Sequence, residues 1–142
     1  MQRIIAVCVV GFLLVGCSQK APLEDLADGN CTGTLVDLVN NHISSQIDAL
    51  AEKDWELAYS FASDKFQTSV SFDDFTQIIS AQYQMLIENN GYQFNECTVA
   101  GGTITQEVSV TSGEQVFGLT YALAVNGSTL GVDSAVVSKF AS

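Results

Sequence analysis

The side chains best suited to proton transfer are a single histidine, His42, and a carboxylate, Asp54. Catalysis by histidine needs a partner within hydrogen-bond reach. No suggestive neighbour accompanies His42, so we expect it on a surface or in helix packing. Asp54 could act as a buried acid, but its place at the start of a helical pattern favours an N-cap, where a short carboxylate accepts from free backbone N–H groups. We therefore predict no catalytic residue.

Four aromatic residues are candidates to line a pocket: Tyr83, Tyr121, Trp55 and Tyr59. The hydroxyl groups of Tyr83 and Tyr121 could contact a ligand inside the domain. Tyrosines at core-facing positions usually pack with a satisfied hydroxyl group, and Trp55 and Tyr59 are subject to the same argument. Ligand contact and plain core packing therefore both remain open for these four residues.

The sequence contains no motif of a familiar cofactor or metal site. A nucleophile elbow, a phosphate-binding loop, a zinc motif and a dinucleotide fingerprint are all absent. The cysteines and the one histidine match no ligand spacing. We therefore expect neither a metal ion nor a cofactor.

The N-terminal residues have the pattern of an export signal. Residues 1–3 form a short positive region, and residues 4–15 are apolar apart from Gly11. That run is shorter than the roughly 20 residues of a spanning helix and suits a secretory signal. Leu14-Val15-Gly16-Cys17 resembles the lipobox of bacterial prolipoproteins, in which aliphatic and small residues lead into an obligatory cysteine. The alternative is an ordinary signal or short anchor with an incidental cysteine.

The lipobox resemblance implies a location and a form of attachment. Residues 1–16 would be removed as signal peptide, and the thiol of Cys17 would carry lipid. The domain would face outside the cytoplasm, held on the bacterial cell membrane or outer membrane. Loss of Arg3 with the signal takes the net charge from −11 to −12. A negative charge of this size opposes binding to nucleic acid and to anionic lipid headgroups. We therefore expect no nucleic-acid partner, and we expect the covalent lipid on Cys17 to make the membrane contact.

Cys31 and Cys97 are the two cysteines that remain beyond Cys8, in the signal, and Cys17. An even pair in an exported chain predicts a disulfide bond. The alternative is two separate buried thiols.

Hydrophobic periodicity predicts helices first and strands after them. Residues 17–33 have the composition of a tether, with the only proline of the chain. Helical spacing predicts a helix over residues 34–53, a short one over residues 54–63 and a third from Ser71 to about residue 89, ended by Gly91. Alternation then predicts strands over residues 92–100, 103–111, 117–125 and 130–137, with a type I′ turn at Asn126-Gly127.

This order predicts an α+β domain in which N-terminal helices pack on a curved four-stranded antiparallel meander. The order of elements resembles the nuclear transport factor 2-like, or cystatin-like, roll, and residues 47–59 are the stretch most similar to it. The resemblance covers most of the domain assigned to residues 34–142. It implies a cone that can enclose a pocket, in a group that includes isomerases, dehydratases and non-catalytic binding domains.

Three functions are compatible with these features. The leading prediction is a membrane-anchored envelope lipoprotein whose small non-catalytic domain binds a ligand or an envelope protein. The first alternative is an enzyme of the isomerase or dehydratase type that uses a polar residue inside the cone. The second is a homodimeric structural protein of the envelope. Fold alone does not choose among them.

Overall fold

The computed structural model describes Leu23 and residues 26–138, and the predicted signal, lipobox and Cys17 lie outside these residues. Helices precede strands along the described chain, apart from one short strand, β1, at its start. The helices are α1 (Gly33–Ala51), α2 (Trp55–Ser60), α3 (Asp64–Ser69), α4 (Phe72–Gln82) and α5 (Gln84–Ile87). The strands are β1 (Gly29–Asn30), β2 (Gly91–Ala100), β3 (Thr103–Ser112), β4 (Gln115–Asn126) and β5 (Thr129–Ser138). The α+β class is as predicted.

The sheet has five strands in the order β1-β2-β3-β4-β5, and every neighbouring pair is antiparallel. The prediction of four strands was therefore wrong by one. The missed strand, β1, has only two residues, Gly29 and Asn30, which pair with Val99 and Thr98. So short a strand has no alternation to detect, and its pairing joins residues far apart in sequence.

The amphipathic pattern of α1 explains its packing. Its buried residues include Val39, Ile43, Ile47 and Leu50, which recur at helical spacing on one face. Opposite them, the inward-facing residues of the sheet, Ile104, Val108, Val110, Leu119, Tyr121 and Leu123, are each at most 1% exposed. The core is thus a layer of side chains between α1 and one face of β3 and β4.

The helices after α1 differ from prediction in two places. A short helix, α3, follows α2, whereas the sequence predicted no helix there. The predicted third helix is broken at Tyr83, which separates α4 from α5 and has φ −125° and ψ 34°. The helical periodicity of the sequence continues through Tyr83. In the structure, however, the hydroxyl group of Tyr83 donates to the carbonyl of Ala135 in β5. A tertiary contact therefore coincides with the break.

Side-chain caps mark three helix starts. Asp54 accepts a hydrogen bond from the backbone N–H of Leu57, as predicted for an N-cap. Ser63 accepts from Phe66 at the start of α3, and Ser71 caps α4 in the same way. These caps satisfy backbone donors that the first helical turn leaves free.

The hairpin between β4 and β5 forms where it was predicted, but with a different turn. Asn126 pairs with Thr129, so the two-residue loop is Gly127-Ser128. Among the described residues of this loop only Gly127 has a positive φ, +61°. A positive φ at the first central position alone belongs to a type II′ turn, so the predicted type I′ turn at Asn126-Gly127 was wrong.

The predicted disulfide bond joins Cys31 and Cys97, whose Cα atoms lie 5.4 Å apart. The backbone N–H of Cys31 also donates to the carbonyl of Cys97, at 3.0 Å. The alternative of two free thiols is therefore wrong. The bond attaches the residue just before α1 to β2, beside the short β1–β2 ladder.

Candidate functional site

A cavity of about 220 Å³ lies between the helices and the sheet, against β5. Its wall is mostly aliphatic and aromatic, with contributions from α1, α3, α4, α5, β4 and β5. The lining residues are Gln46, Leu50, Ala62, Phe66, Phe75, Ile78, Ile79, Tyr83, Leu86, Tyr121, Val132, Asp133, Ser134, Ala135 and Val136. Since ligand sites are typically apolar with a few placed polar groups, this cavity is the best candidate among the described residues.

An aromatic cluster holds the helical side of the cavity. Phe75 of α4 lies against Tyr59, with ring centroids 5.3 Å apart, and meets Phe66 of α3 edge to face at 6.1 Å. Phe75 is 3% exposed. Such aromatic pairs add to the stability gained by burial, so α3 and α4 present a fixed wall.

Tyr83 lines the cavity at the break between α4 and α5. Its hydroxyl group donates to the carbonyl of Ala135, at 2.5 Å, so the proton is already committed. The lone pairs of the same oxygen can still accept a hydrogen bond. Burial raises the pKa of Tyr83 above 10.0, so the hydroxyl group, protonated at neutral pH in any case, keeps its proton further into the alkaline range.

Tyr121 of β4 lines the same cavity and is 1% exposed. Burial raises its pKa, and the proximity of Tyr83 and Tyr92 raises it further. No hydrogen bond is among the causes of that shift, and within residues 26–138 the hydroxyl group has no hydrogen-bond partner. A buried tyrosine hydroxyl normally has one. Tyr121 therefore brings an uncommitted donor to the cavity.

Two further polar residues of the wall are already engaged. The Gln46 side chain is 5% exposed and donates from Nε2 to the carbonyl of Ala58, at 3.2 Å. Asp133 accepts a hydrogen bond on Oδ1 from the hydroxyl group of Ser63, at 2.5 Å. Asp133 lies at an irregularity of β5, because Val132 pairs with Leu123 whereas Ser134 pairs with Ala122.

The structure brings together two of the four aromatic residues that the sequence proposed for a pocket. Tyr83 and Tyr121 share the cavity wall. Tyr59 instead directs its hydroxyl group to the carbonyl of Val70, at 2.5 Å, and its ring lies tilted against Phe75. Trp55 is partly buried against the core and is not among the residues lining the cavity.

His42 lies on a different surface, an open cleft of about 800 Å³ between α1 and the β4–β5 turn. Its Nε2 is 2.8 Å from the carbonyl oxygen of Phe61, and the two rings meet edge to face at 5.2 Å. The histidine therefore joins α1 to the end of α2, in the helix-packing role expected of it.

Sequence reasoning missed Asp133, which borders both the cleft and the cavity, and its partner Ser63, which lines the cleft. Ala62 forms a parallel bridge with Val132, and the backbone N–H of Ser63 donates to the carbonyl of Val132, at 2.9 Å. Gly131 permits this approach, since a Cβ atom there would lie 2.5 Å from Cα of Ser63. The glycine inside a predicted strand was the available signal, because it often marks close backbone approach.

Within the described residues, no group of three or more His, Cys, Asp or Glu side chains is placed to hold a metal ion. Among the helices of that part, none combines the length and apolar character needed to cross a bilayer.

Comparisons with known proteins identify the domain without assigning an activity. A family model described as a domain of unknown function, DUF4864, matches residues 36–135. Searches of the curated proteins and of the solved structures find no match. The matched residues run from α1 into β5 and include every residue that lines the cavity, apart from Val136. The family match covers most of the chain, which therefore belongs to the DUF4864 family.

Proposed function

We propose that this protein is a lipid-anchored component of the bacterial envelope whose domain binds a small ligand in the apolar cavity, without catalysis. The helices and the sheet would form a cone of the nuclear transport factor 2-like kind, with the cavity inside it. The observation that carries the proposal is the cavity itself, bounded by Tyr83 and Tyr121.

The size and the lining of the cavity support binding. An engineered apolar cavity of about 150 Å³ accepts benzene, whereas drug-sized ligands use roughly 300–1,000 Å³. At about 220 Å³ the cavity suits a molecule between these sizes. Mutual packing of Phe66, Phe75 and Tyr59 keeps the helical wall in place, so little ordering energy would be lost on binding.

The engagement of the polar side chains favours binding over catalysis. Asp133 is the carboxylate of the wall, and its Oδ1 accepts from Ser63. Ser63 in turn caps α3 by accepting from Phe66. His42 lines the cleft and not the cavity. A general acid or base needs a free position facing the substrate, and these three residues have structural partners instead.

The anchor rests on the sequence of residues 1–17. Leu14-Val15-Gly16-Cys17 resembles a lipobox, and the mature chain would carry a charge of −12, which opposes adhesion of the domain to anionic lipid. Covalent lipid on Cys17 would supply the membrane affinity that this surface lacks. The ligand would then be captured close to the membrane surface.

Filling the cavity tests ligand binding. Ala135 lines the cavity, so Ala135→Phe should fill it and abolish binding of small apolar probes. Ala122→Phe is the matched control, because Ala122 lies on the neighbouring strand and is absent from the cavity wall. Full-length protein in lipid nanodiscs would be titrated with acetophenone while methyl NMR signals of Ile79 and Leu86 are followed. Unchanged shifts in the wild type, or equal shifts in both variants, would refute the proposal.

Lipid labelling in a bacterial host tests the anchor. Cys17→Ser should leave the precursor uncut and without lipid, whereas Cys8→Ser should be processed and labelled normally. Lipid that persists on the Cys17→Ser protein would show the anchor assignment to be wrong.

A further inference from the structure

The charges of the residues that line the cavity limit which ligands it can bind. Among its lining residues, Asp133 is the only one with a formal charge, and no lysine, arginine or histidine is present. An anion placed there would lose its hydration without gaining a counter-charge, beside a carboxylate of the same sign. Anionic ligands are therefore strongly disfavoured.

A cation would gain little from Asp133. The carboxylate already accepts the hydroxyl proton of Ser63 on Oδ1, and Asp133 is only partly buried. Asp133 borders the open cleft as well as the cavity, so water can reach the carboxylate from the cleft. A cation that enters the apolar part would lose its hydration and gain only a carboxylate that is already hydrogen-bonded. The desolvation free energy would exceed the attraction between the two charges.

The two tyrosines give the cavity one free donor. Tyr83 has committed its proton to Ala135, so it can only accept. Tyr121 is 1% exposed and its hydroxyl group has no partner within residues 26–138. Its proton is in place at neutral pH, as in any tyrosine, and burial raises its pKa further. A ligand that carries an acceptor would give this hydroxyl group a hydrogen bond that the described residues do not supply.

We propose that the cavity takes an uncharged, mainly apolar molecule on the order of ten non-hydrogen atoms that offers Tyr121 one hydrogen-bond acceptor. The assignment rests on the proposed function, because it presumes that the cavity binds a ligand at all. The apolar part of the molecule contacts Phe75, Ile79 and Leu86, and its acceptor lies against the hydroxyl group of Tyr121.

Four compounds with the same number of non-hydrogen atoms and one phenyl ring test the assignment: acetophenone, cumene, benzoate and benzamidinium. Acetophenone offers a neutral acceptor and cumene offers none, whereas benzoate is an anion and benzamidinium a cation. All four have nearly the same shape. Each would be titrated into full-length protein in lipid nanodiscs, with free concentrations corrected for partition into empty nanodiscs. Methyl signals of Ile79 and Leu86 report the cavity, and those of exposed Val116 serve as an internal control.

We expect acetophenone to bind the wild type more tightly than cumene, and benzoate and benzamidinium more weakly than both. Tyr121→Phe should weaken acetophenone about five- to tenfold and leave cumene unchanged or tighter. Tyr92→Phe is the matched control, because Tyr92 lies outside the cavity wall and its hydroxyl group donates to exposed Asp48, so this change should alter neither affinity.

The outcomes separate the two proposals. If none of the four compounds shifts the cavity signals, the proposed function fails. If cumene and acetophenone bind equally and Tyr121→Phe changes neither, the cavity binds ligands but the assigned class is wrong. Tightest binding of benzoate or benzamidinium also overturns the class. Retention of the wild-type methyl spectrum by Tyr121→Phe shows that the variant is folded.

Discussion

The hydroxyl group of Tyr83 donates a hydrogen bond to the backbone carbonyl of Ala135, at 2.5 Å, across 52 residues of sequence. This contact ties the break between α4 and α5 to β5, the last strand in the order of the sheet. It also fixes one wall of the cavity, because both residues line it. One side chain thus connects the interruption of a helix to the shape of the candidate site.

Removing this hydroxyl group should weaken the attachment of β5. We expect Tyr83→Phe to lower the free energy of unfolding by about 1 kcal/mol, since the carbonyl of Ala135 loses its partner while the ring remains. Tyr92→Phe is the matched control: the Tyr92 hydroxyl group donates to exposed Asp48, so its loss should cost less. Urea unfolding of the three proteins measures the difference, and equal losses would contradict the assignment.

Strand β5 passes so close to the segment after α2 that position 131 has no room for a side chain. A Cβ atom there would lie 2.5 Å from Cα of Ser63, and backbone atoms cannot move aside cheaply. We expect Gly131→Ala to destabilise the fold by about 2–3 kcal/mol and to disturb the Ser63–Asp133 pair. Gly33→Ala is the control, because nothing lies within 4 Å of a Cβ atom there. If Gly131→Ala lowered the unfolding temperature no more than Gly33→Ala, the predicted clash with Ser63 would be wrong.

The disulfide bond should contribute a large share of the stability. It closes a loop with a sequence separation of 66, for which chain entropy alone predicts about 4 kcal/mol. The double variant Cys31→Ser, Cys97→Ser should therefore unfold at a markedly lower temperature than the wild type. Reductant should bring the wild type to the level of the variant and leave the variant unchanged. A variant as stable as the oxidised wild type would contradict the expectation.

Burial of Tyr121 should make the fold sensitive to alkali. Burial, with added effects of Tyr83 and Tyr92, raises the pKa of Tyr121 above its usual 10.0. Above about pH 10 the unfolded chain releases a proton that the folded chain retains, so stability falls as pH rises; below pH 10 both states hold it and the effect vanishes. Tyr121→Phe should lose this part of the alkaline decline. Urea unfolding between neutral pH and about pH 11 measures both slopes, and identical slopes would disprove the link.

The fold could be predicted where a pattern is local. The stripe of Val39, Ile43, Ile47 and Leu50 predicts α1, and strand alternation with glycine turns predicts β2 to β5. What escaped prediction depends on distant partners. Strand β1 exists through pairing with β2, and the helix break at Tyr83 accompanies a bond to Ala135. Periodicity carries no information about either contact.

The candidate site was predictable only in part, for the same reason. Tyr83 and Tyr121 carry a recognisable polar group on an apolar face, and the structure places both on the cavity wall. Asp133 reads as an ordinary polar residue of an alternating strand. Its position follows from the irregular pairing of β5 with β4 and from the bond to Ser63, which lies 70 residues away in sequence.

The Cys31–Cys97 bond has a mechanical consequence for a chain held by its N-terminus, as proposed. Tension transmitted from a membrane anchor reaches the short strand β1 first and then Cys31, where the covalent bond passes it to Cys97. It therefore reaches the hydrogen-bonded ladders of β2, β3 and β4 directly. The nineteen residues of α1, which follow Cys31 along the chain, lie outside this load path. Pulling on the tether would thus strain the sheet, while the helix that covers the core stays unloaded.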